Sequence, residues 1–330
     1  MPELPNLNQV ADEVFVLPNE KAFRQIALTV FRHQYFHNPV YGSYCNAIGR
    51  TPDNVSVLEE IPFLPIAFFK SHLVKTGAFD PVAVFKSSGT TGAATSRHYI
   101  SDMSLYEKSF FTCFEKFYGK PEEYCILGLL PSYLEQGSSS LVYMVDGLIR
   151  KSGHPQSGFY LYEYRQLSET LQQLERKGQK AILFGVTYAL LDFAEAHAMP
   201  LQTTTIIETG GMKGRKKELT KEALYEQLKS AFSLAEINSE YGMTELLSQA
   251  YAVDGLYRCP PWMKVFLRDE TDPFQLGGYT GAINVIDLAN LHSCSFIATE
   301  DLGKLRPDGS FEVLGRMDNT DIRGCSQLIL

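Results

Sequence analysis

From Pro81 onward, short apolar runs alternate with longer amphipathic stretches, and few architectures can absorb that rhythm. A short apolar run between turn residues suits a buried strand, and a stretch with apolar residues every three or four positions suits a helix lying on it. The spacing predicts strands at Val82–Phe85, Tyr124–Leu130, Ala181–Phe184, Thr203–Ile207 and Leu234–Asn238. Helices are expected over Asp102–Tyr118, Ser138–Ile149, Arg165–Lys177, Thr187–His197 and Glu218–Phe232. Strands that alternate with helices form a mostly parallel sheet, because a parallel pair needs a crossover between its members. After about Pro260 the helical pattern stops. Lys264–Leu267, Gly281–Asp287, Cys294–Ala298 and Phe311–Leu314 read as strands joined by glycine-bearing turns, a β-rich C-terminal subdomain.

Before Pro81, Asn19 is placed to cap a helix that runs to about His37, where Asn38-Pro39 ends it. A Pro-rich connector, Thr51 to Lys70, follows. The chain thus divides into an N-terminal helical segment (1–80), an α/β core (81–260) and the β-rich part (261–330).

The formal net charge of −8 argues against a nucleic-acid surface, which needs a basic stripe. A small phosphate ligand remains open, since a few oriented amides and one cation hold it. The six cysteines show no CxxC spacing, no export signal precedes the core, and the apolar runs are too broken to span a bilayer. Those features are expected of a cytoplasmic protein without a transmembrane segment.

Five segments carry candidate chemistry. Ser87-Ser88-Gly89-Thr90-Thr91-Gly92 follows a strand and offers hydroxyls and unobstructed amides to phosphate oxygens. It lacks the GK[ST] of a Walker loop, and its bland reading is a flexible turn. Tyr241-Gly242-Met243-Thr244-Glu245 stands at a strand end and the expected start of a helix. There Tyr241 can stack on a planar base, Thr244 can donate to phosphate and Glu245 can hold magnesium; the alternative is a helix start with an acidic first turn. The turn at Gly210-Gly211 lets backbone approach a flat ring. Asp301, in Thr299-Glu300-Asp301-Leu302-Gly303, and Arg316, in Gly315-Arg316-Met317-Asp318, can take ribose hydroxyls; the bland reading of each is a tight turn between strands. Weaker features have bland readings too. His33 and His37 share a helix surface without the HExxH glutamate, Tyr160–Tyr164 suits strand packing, and Lys213–Lys217 is a solvated basic run.

The order of these five segments resembles the adenylation core of the acyl-CoA synthetase, peptide-synthetase and luciferase superfamily. A narrower resemblance, to the LuxE-type acyl-protein synthetases, lies in Phe31–Tyr35, Asn38–Tyr41, Ile61–Ile66, Phe69-Lys70, Leu130–Leu134, Ser138–Leu141 and Arg323-Gly324-Cys325-Ser326. The resemblance implies an α/β adenylate-forming core, with mostly parallel sheets flanked by helices. It further implies ATP and Mg2+ as cofactors and a fatty or other carboxylic acid as substrate. The acyl group would pass to Cys325 and on to an acyl reductase; a carrier protein, coenzyme A or a catalytically silent nucleotide-binding scaffold are the alternatives. Two departures stand out. Ala93-Ala94-Thr95-Ser96-Arg97 replaces the usual Pro-Lys after the phosphate loop, which makes Arg97 the candidate cation. Only residues 317–330 follow Arg316, too few for the lid domain and its lysine. Lys86, Lys213, Arg97 and Arg323 are the substitutes in this chain.

Overall fold

The computed structural model describes residues 7–87, 95–131, 138–210, 219–272 and 274–317. The expected alternation is present. Strands β2 (Ala83–Lys86) and β3 (Arg97–Ile100) form a separate antiparallel hairpin. β4 (Cys125–Leu129), β5 (Gly158–Phe159), β6 (Ala181–Gly185), β7 (Thr204–Glu208) and β8 (Asn238–Tyr241) form the parallel half of the main sheet, in the order β8-β7-β6-β4-β5. Their crossovers carry α6 (Ser140–Ser152), α7 (Tyr164–Lys177), α8 (Thr187–Ala196) and α9 (Lys221–Phe232). α5 (Met103–Tyr118) precedes them, with Asp102 accepting the Ser104 amide at its N-terminus. Every residue of β4 and β6 is buried, which is why those strands read as unbroken apolar runs.

The β-rich part continues the same sheet. β9 (Ala250–Val253) turns back antiparallel on β8, and β10 (Leu256–Arg258), β14 (Phe311–Arg316), β13 (Phe296–Leu305), β12 (Thr280–Asp287) and β11 (Met263–Arg268) follow in that spatial order. A two-residue strand, β1 (Leu64–Pro65), pairs in parallel with β13 and completes twelve strands. The strands after residue 260 are therefore hydrogen-bonded to the α/β part through the β10–β14 pair.

The N-terminal segment is built from α1 (Leu7–Glu13), α2 (Glu20–His37), α3 (Pro39–Ala47) and the single turn α4 (Phe68–Ser71). Asn19 caps α2 as expected, accepting the Ala22 amide at 3.0 Å. Asn38-Pro39 ends α2 and at once starts α3: Pro39 needs no N–H in a first turn, and Asn38 accepts the Tyr41 amide at 3.1 Å. α2 is tied to the far sheet. Gln34 Nε2 donates to the carbonyls of Asn290 and Leu291 at 3.0 and 3.2 Å, and Asn38 Nδ2 donates to Ser293 O at 3.0 Å.

Three local expectations change. Residues after Tyr241 form a turn and not a helix, and the chain re-enters the sheet at Ala250. The side chain of Asp287 takes the amides that a helix would have satisfied, those of Leu247 and Ser248. Tyr160–Tyr164 is a turn leading into α7, because the adjacent strand is only Gly158–Phe159. His33 is not a surface residue: it is 7% exposed and stacks on His37 at 4.3 Å between ring centres. Burial, with the charges of His37 and His292, holds it down to about 4. No helix among the described residues is long and apolar enough to cross a membrane.

Candidate active site

The site is assembled where β8 ends and the sheet changes from parallel to antiparallel, the usual place for a ligand in an open α/β sheet. Gly242 follows β8, and a Cβ there would meet Glu240 Oε1, so a larger residue would require the Glu240 carboxyl to move aside. Glu245 comes three residues later and is 4% exposed. Burial raises its pKa, opposed in decreasing order by the Ser96 hydroxyl, its own amide, Lys70 and Arg316. Among the described residues no lysine or arginine pairs with it. A buried carboxylate without a counter-ion is costly. It fits a hard divalent cation that takes oxygen ligands and completes its shell from phosphate and water, as magnesium does.

The Ser/Thr/Gly-rich segment expected to meet phosphate lies between β2 and β3 in the chain. Its base is closed by Ser87: the Ser87 amide donates to Ser96 O at 3.1 Å, and Ser87 Oγ accepts the Ser96 amide at 2.9 Å. That closure brings the loop's last residue, Ser96, to Glu245. Ser88, Gly89, Thr90, Thr91 and Gly92 lie outside the described residues. Arg97 and Lys86, proposed as substitute cations, are register partners at the hairpin base, and both are exposed. Strand alternation turns the neighbour of Arg97, His98, inward. The cation acting on Glu245 that sequence reading missed is Lys70 on α4, because nothing in a Pro-rich connector marks a lysine 175 positions away as a neighbour.

A second group lies beside the first. Tyr241 Oη donates to Asp301 Oδ2 at 2.8 Å. Arg316, the register partner of Asp301 across β13 and β14, places Nε 3.6 Å from Asp301 Oδ1. Burial raises the Asp301 carboxyl, while Tyr241 and Arg316 act the other way. Tyr241 is 8% exposed, with ring edges against Tyr257 and Phe311, and its phenol is pushed well up by burial and by the Asp301 charge. The Arg316 side chain is 82% exposed, so its pair with Asp301 is worth at most about 1 kcal/mol and leaves the guanidinium free to turn to a ligand. Tyr241 and Glu245 stand four residues apart on the segment that leaves β8, which sets the two groups side by side, and the exposed Arg316 charge is the weakest of the influences on Glu245.

On β7 the chain ends at Glu208, whose Oε1 accepts the Gly210 amide at 2.7 Å and the Thr187 hydroxyl. Gly210 has φ +75°, the left-handed region that glycine adopts without strain. Gly211 and Lys213 lie outside the described residues, as do Arg323 and Cys325. The five described cysteines are unreactive by environment. Burial pushes Cys45 and Cys259 up to about 12 and Cys125 to about 11, and raises Cys113 and Cys294 as well.

No family model matches the chain. Among curated proteins it is similar to the long-chain-fatty-acid–luciferin-component ligase of Photorhabdus luminescens, with 35% identity over 74 residues. That match covers 22% of this chain and 63% of the relative. Among solved structures it is similar to ATP-bound MatB from Rhodopseudomonas palustris, with TM-score 0.53 and 17% identity over 83% of this chain and 56% of that one. It is likewise similar to an ATP-bound RpMatB-BxBclM chimera, with TM-score 0.54 and 16% identity over 83% of this chain and 56% of that one. The chain spans little more than half the length of these structures, and the likeness is one of fold: that of the adenylate-forming ligases.

Proposed function

We propose that this chain activates a carboxylic acid, a fatty acid in the first instance, as its acyl-AMP, and passes the acyl group to the thiol of Cys325 for delivery to a reductase. The observation that carries the reading is the single site at the end of β8. It sets a buried Glu245, without a direct ion pair among the described residues and close to Ser96, four residues from Tyr241 and its Asp301–Arg316 partners. The partial likeness to a fatty-acid ligase supports the substrate class.

Each part has a separate job. Asp301, held by Tyr241, accepts the ribose hydroxyls, and Arg316 donates to the same sugar. Gly210-Gly211 and Tyr241 bound the base. The Ser87–Gly92 loop and Thr244 donate to the polyphosphate, and Glu245 holds magnesium. Magnesium would neutralise charge on the pyrophosphate leaving group. Attack of the substrate carboxylate on the α-phosphorus forms the acyl–phosphate bond as the bond to pyrophosphate breaks. Fixed donors around the phosphates stabilise the charge that develops, because they need no reorganisation. The Cys325 thiolate then attacks the acyl carbon, a thioester forms, and AMP departs. Lys70, whose charge acts on Glu245, is a further cation that can offset negative charge at the phosphates.

The test is exchange of labelled pyrophosphate into ATP across a panel of acids. Acid-dependent exchange is expected, strongest for fatty acids. Labelled fatty acid with ATP should then leave hydroxylamine-labile label on the protein. Cys325→Ser should lose that label and keep the exchange. ATP binding with no exchange for any acid would instead mark a nucleotide-binding scaffold, and consumption of acyl-AMP only with coenzyme A would mark a CoA ligase.

A further inference from the structure

The Thr244–Glu245 turn is gripped by its carbonyls, and the groups that grip it come from two distant parts of the chain. His98 on β3 places Nδ1 2.7 Å from Thr244 O and Nε2 3.0 Å from Asn290 Oδ1. The orientation of the Asn290 amide follows from its other contacts. Its Nδ2 donates to Glu245 O at 2.8 Å and to Cys294 O at 2.9 Å, so its oxygen is the end that faces His98. The two captured carbonyls belong to the peptide planes on either side of the Glu245 Cα. With both planes fixed, the direction of the Glu245 Cα–Cβ bond, from which its carboxyl is reached, is fixed too. Asn290 is itself held from α2, where Gln34 donates to its carbonyl.

We propose that His98 and Asn290 are positioning residues for Glu245, locking the metal-binding carboxylate in register with the phosphate loop that β3 leaves. This rests on the nucleotide reading above. Neither residue is needed there for packing alone. His98 is 1% exposed and lies between two acceptors, whereas a neutral imidazole has one N–H to give. An apolar side chain in that space would leave both Thr244 O and Asn290 Oδ1 without a donor, so it is the imidazole's hydrogen bonds to the turn, and not its bulk, that the position uses. His98 also sits on the strand that continues from Ser96, whose hydroxyl acts on Glu245. The link between loop and turn is thus made twice, once through the Glu245 side chain and once through its backbone.

The two bonds of His98 can be cut separately. His98→Asn keeps a donor near the Nδ1 position, toward Thr244. His98→Gln keeps one near the Nε2 position, toward Asn290. His98→Leu keeps neither, and Asn290→Asp removes the donor to Glu245 O while keeping the shape. The readout is the gain in ATP affinity on adding Mg2+, by calorimetry, alongside the exchange rate at saturating ATP. His98→Leu and Asn290→Asp should each reduce the Mg2+-dependent gain and the exchange rate about five- to tenfold, the scale of one lost hydrogen bond. Affinity for metal-free ATP should hold. His98→Asn should restore most of the loss and His98→Gln less. Equal Mg2+ dependence in wild type, His98→Asn and His98→Gln would overturn the proposal, and that pair remains informative if His98→Leu fails to fold. Wild type with Mg2+-dependent ATP binding but no exchange would end the catalytic reading alone, with positioning still judged by calorimetry. Wild type that binds no ATP would end both.

Discussion

Two kinds of buried interior meet at β8. In the parallel half, Cys125–Leu129 and Ala181–Gly185 are buried from end to end and almost wholly apolar. Where the sheet turns antiparallel, Ser239, Glu245, Ser248, Asp287 and Asn290 are buried to the same degree, all 4% exposed or less. The first region is held by area removed from water, which any apolar side chain of suitable volume supplies. The second is held by hydrogen bonds between particular partners, and each lost partner leaves another polar group stranded. The first region tolerates apolar exchanges that conserve volume, the second only exchanges that keep each hydrogen-bond partner, and the candidate site is mounted on the second.

The sharpest way to break that contrast is at Asp287. Its carboxylate accepts the amides of Leu247, Ser248 and Ala289 at 2.8, 3.0 and 3.1 Å, and the Ser248 hydroxyl at 2.6 Å. Ser248 in turn accepts the indole N–H of the fully buried Trp262 at 2.9 Å. Asp287→Ala strands all of these donors and should cost about 3 kcal/mol or more in urea unfolding. Ile182→Val, equally buried in β6, should cost only about 1 kcal/mol. Similar losses at the two positions would erase the distinction between the regions.

Next in size is Glu245→Gln, which keeps the shape and removes the charge. Loss of one preorganised charged group should slow pyrophosphate exchange on the order of a hundredfold or more, with thermal stability little changed. Unchanged turnover and unchanged magnesium dependence would remove Glu245 from the site. A smaller effect is expected at Asp301. Asp301→Ala removes the proposed ribose acceptor and should weaken ATP binding roughly tenfold, about 1.4 kcal/mol, by calorimetry. Equal affinities would show that the Tyr241–Asp301 bond serves the fold alone.

The same contrast explains what could be read from the residues. The helices and strands from Asp102 to Phe232 were legible because each buries one face, and burial writes a period into the sequence. Their ends moved by a few residues, as at β8, expected to end at Asn238 and found at Asn238–Tyr241. The candidate site segments stood out by composition, with glycine at Gly210, where φ is positive, and carboxylates at Glu245 and Asp301, and their roles remain proposals. The polar scaffold was not. Gln34 and Ser295 exchange hydrogen bonds across 261 positions, and His98 meets Asn290 across 192. No local pattern announces such a partner. The helix expected after Tyr241 failed for the same reason, since Asp287 takes amides that a helix would have paired with carbonyls.

The smallest effect per measured step, and the finest probe of the boundary, belongs to Glu240, on β8 itself. Its carboxyl lies against Gly242, where a Cβ would strike it. Burial, with the neighbouring charge of Glu208, pushes it up from 4.5 to about 8. Unfolded chain releases this proton near pH 4.5, while folded chain keeps it until about pH 8. Between those values the folded state binds more protons than the unfolded one, so stability from this group is complete below pH 4.5 and falls as pH rises toward 8. The slope is on the order of 1 kcal/mol per pH unit. Glu240→Gln carries no titrating proton and should flatten that decline. Urea unfolding of both proteins at pH 5.5, 6.5 and 7.5 checks it: about 1 kcal/mol should be added to the advantage of Glu240→Gln over wild type at each step. Parallel stability curves would place an ionised Glu240 in the folded protein at neutral pH. That would give the β8 boundary a second carboxylate in need of a cation, and would make the polar region extend one strand further into the parallel half than its burial alone suggests.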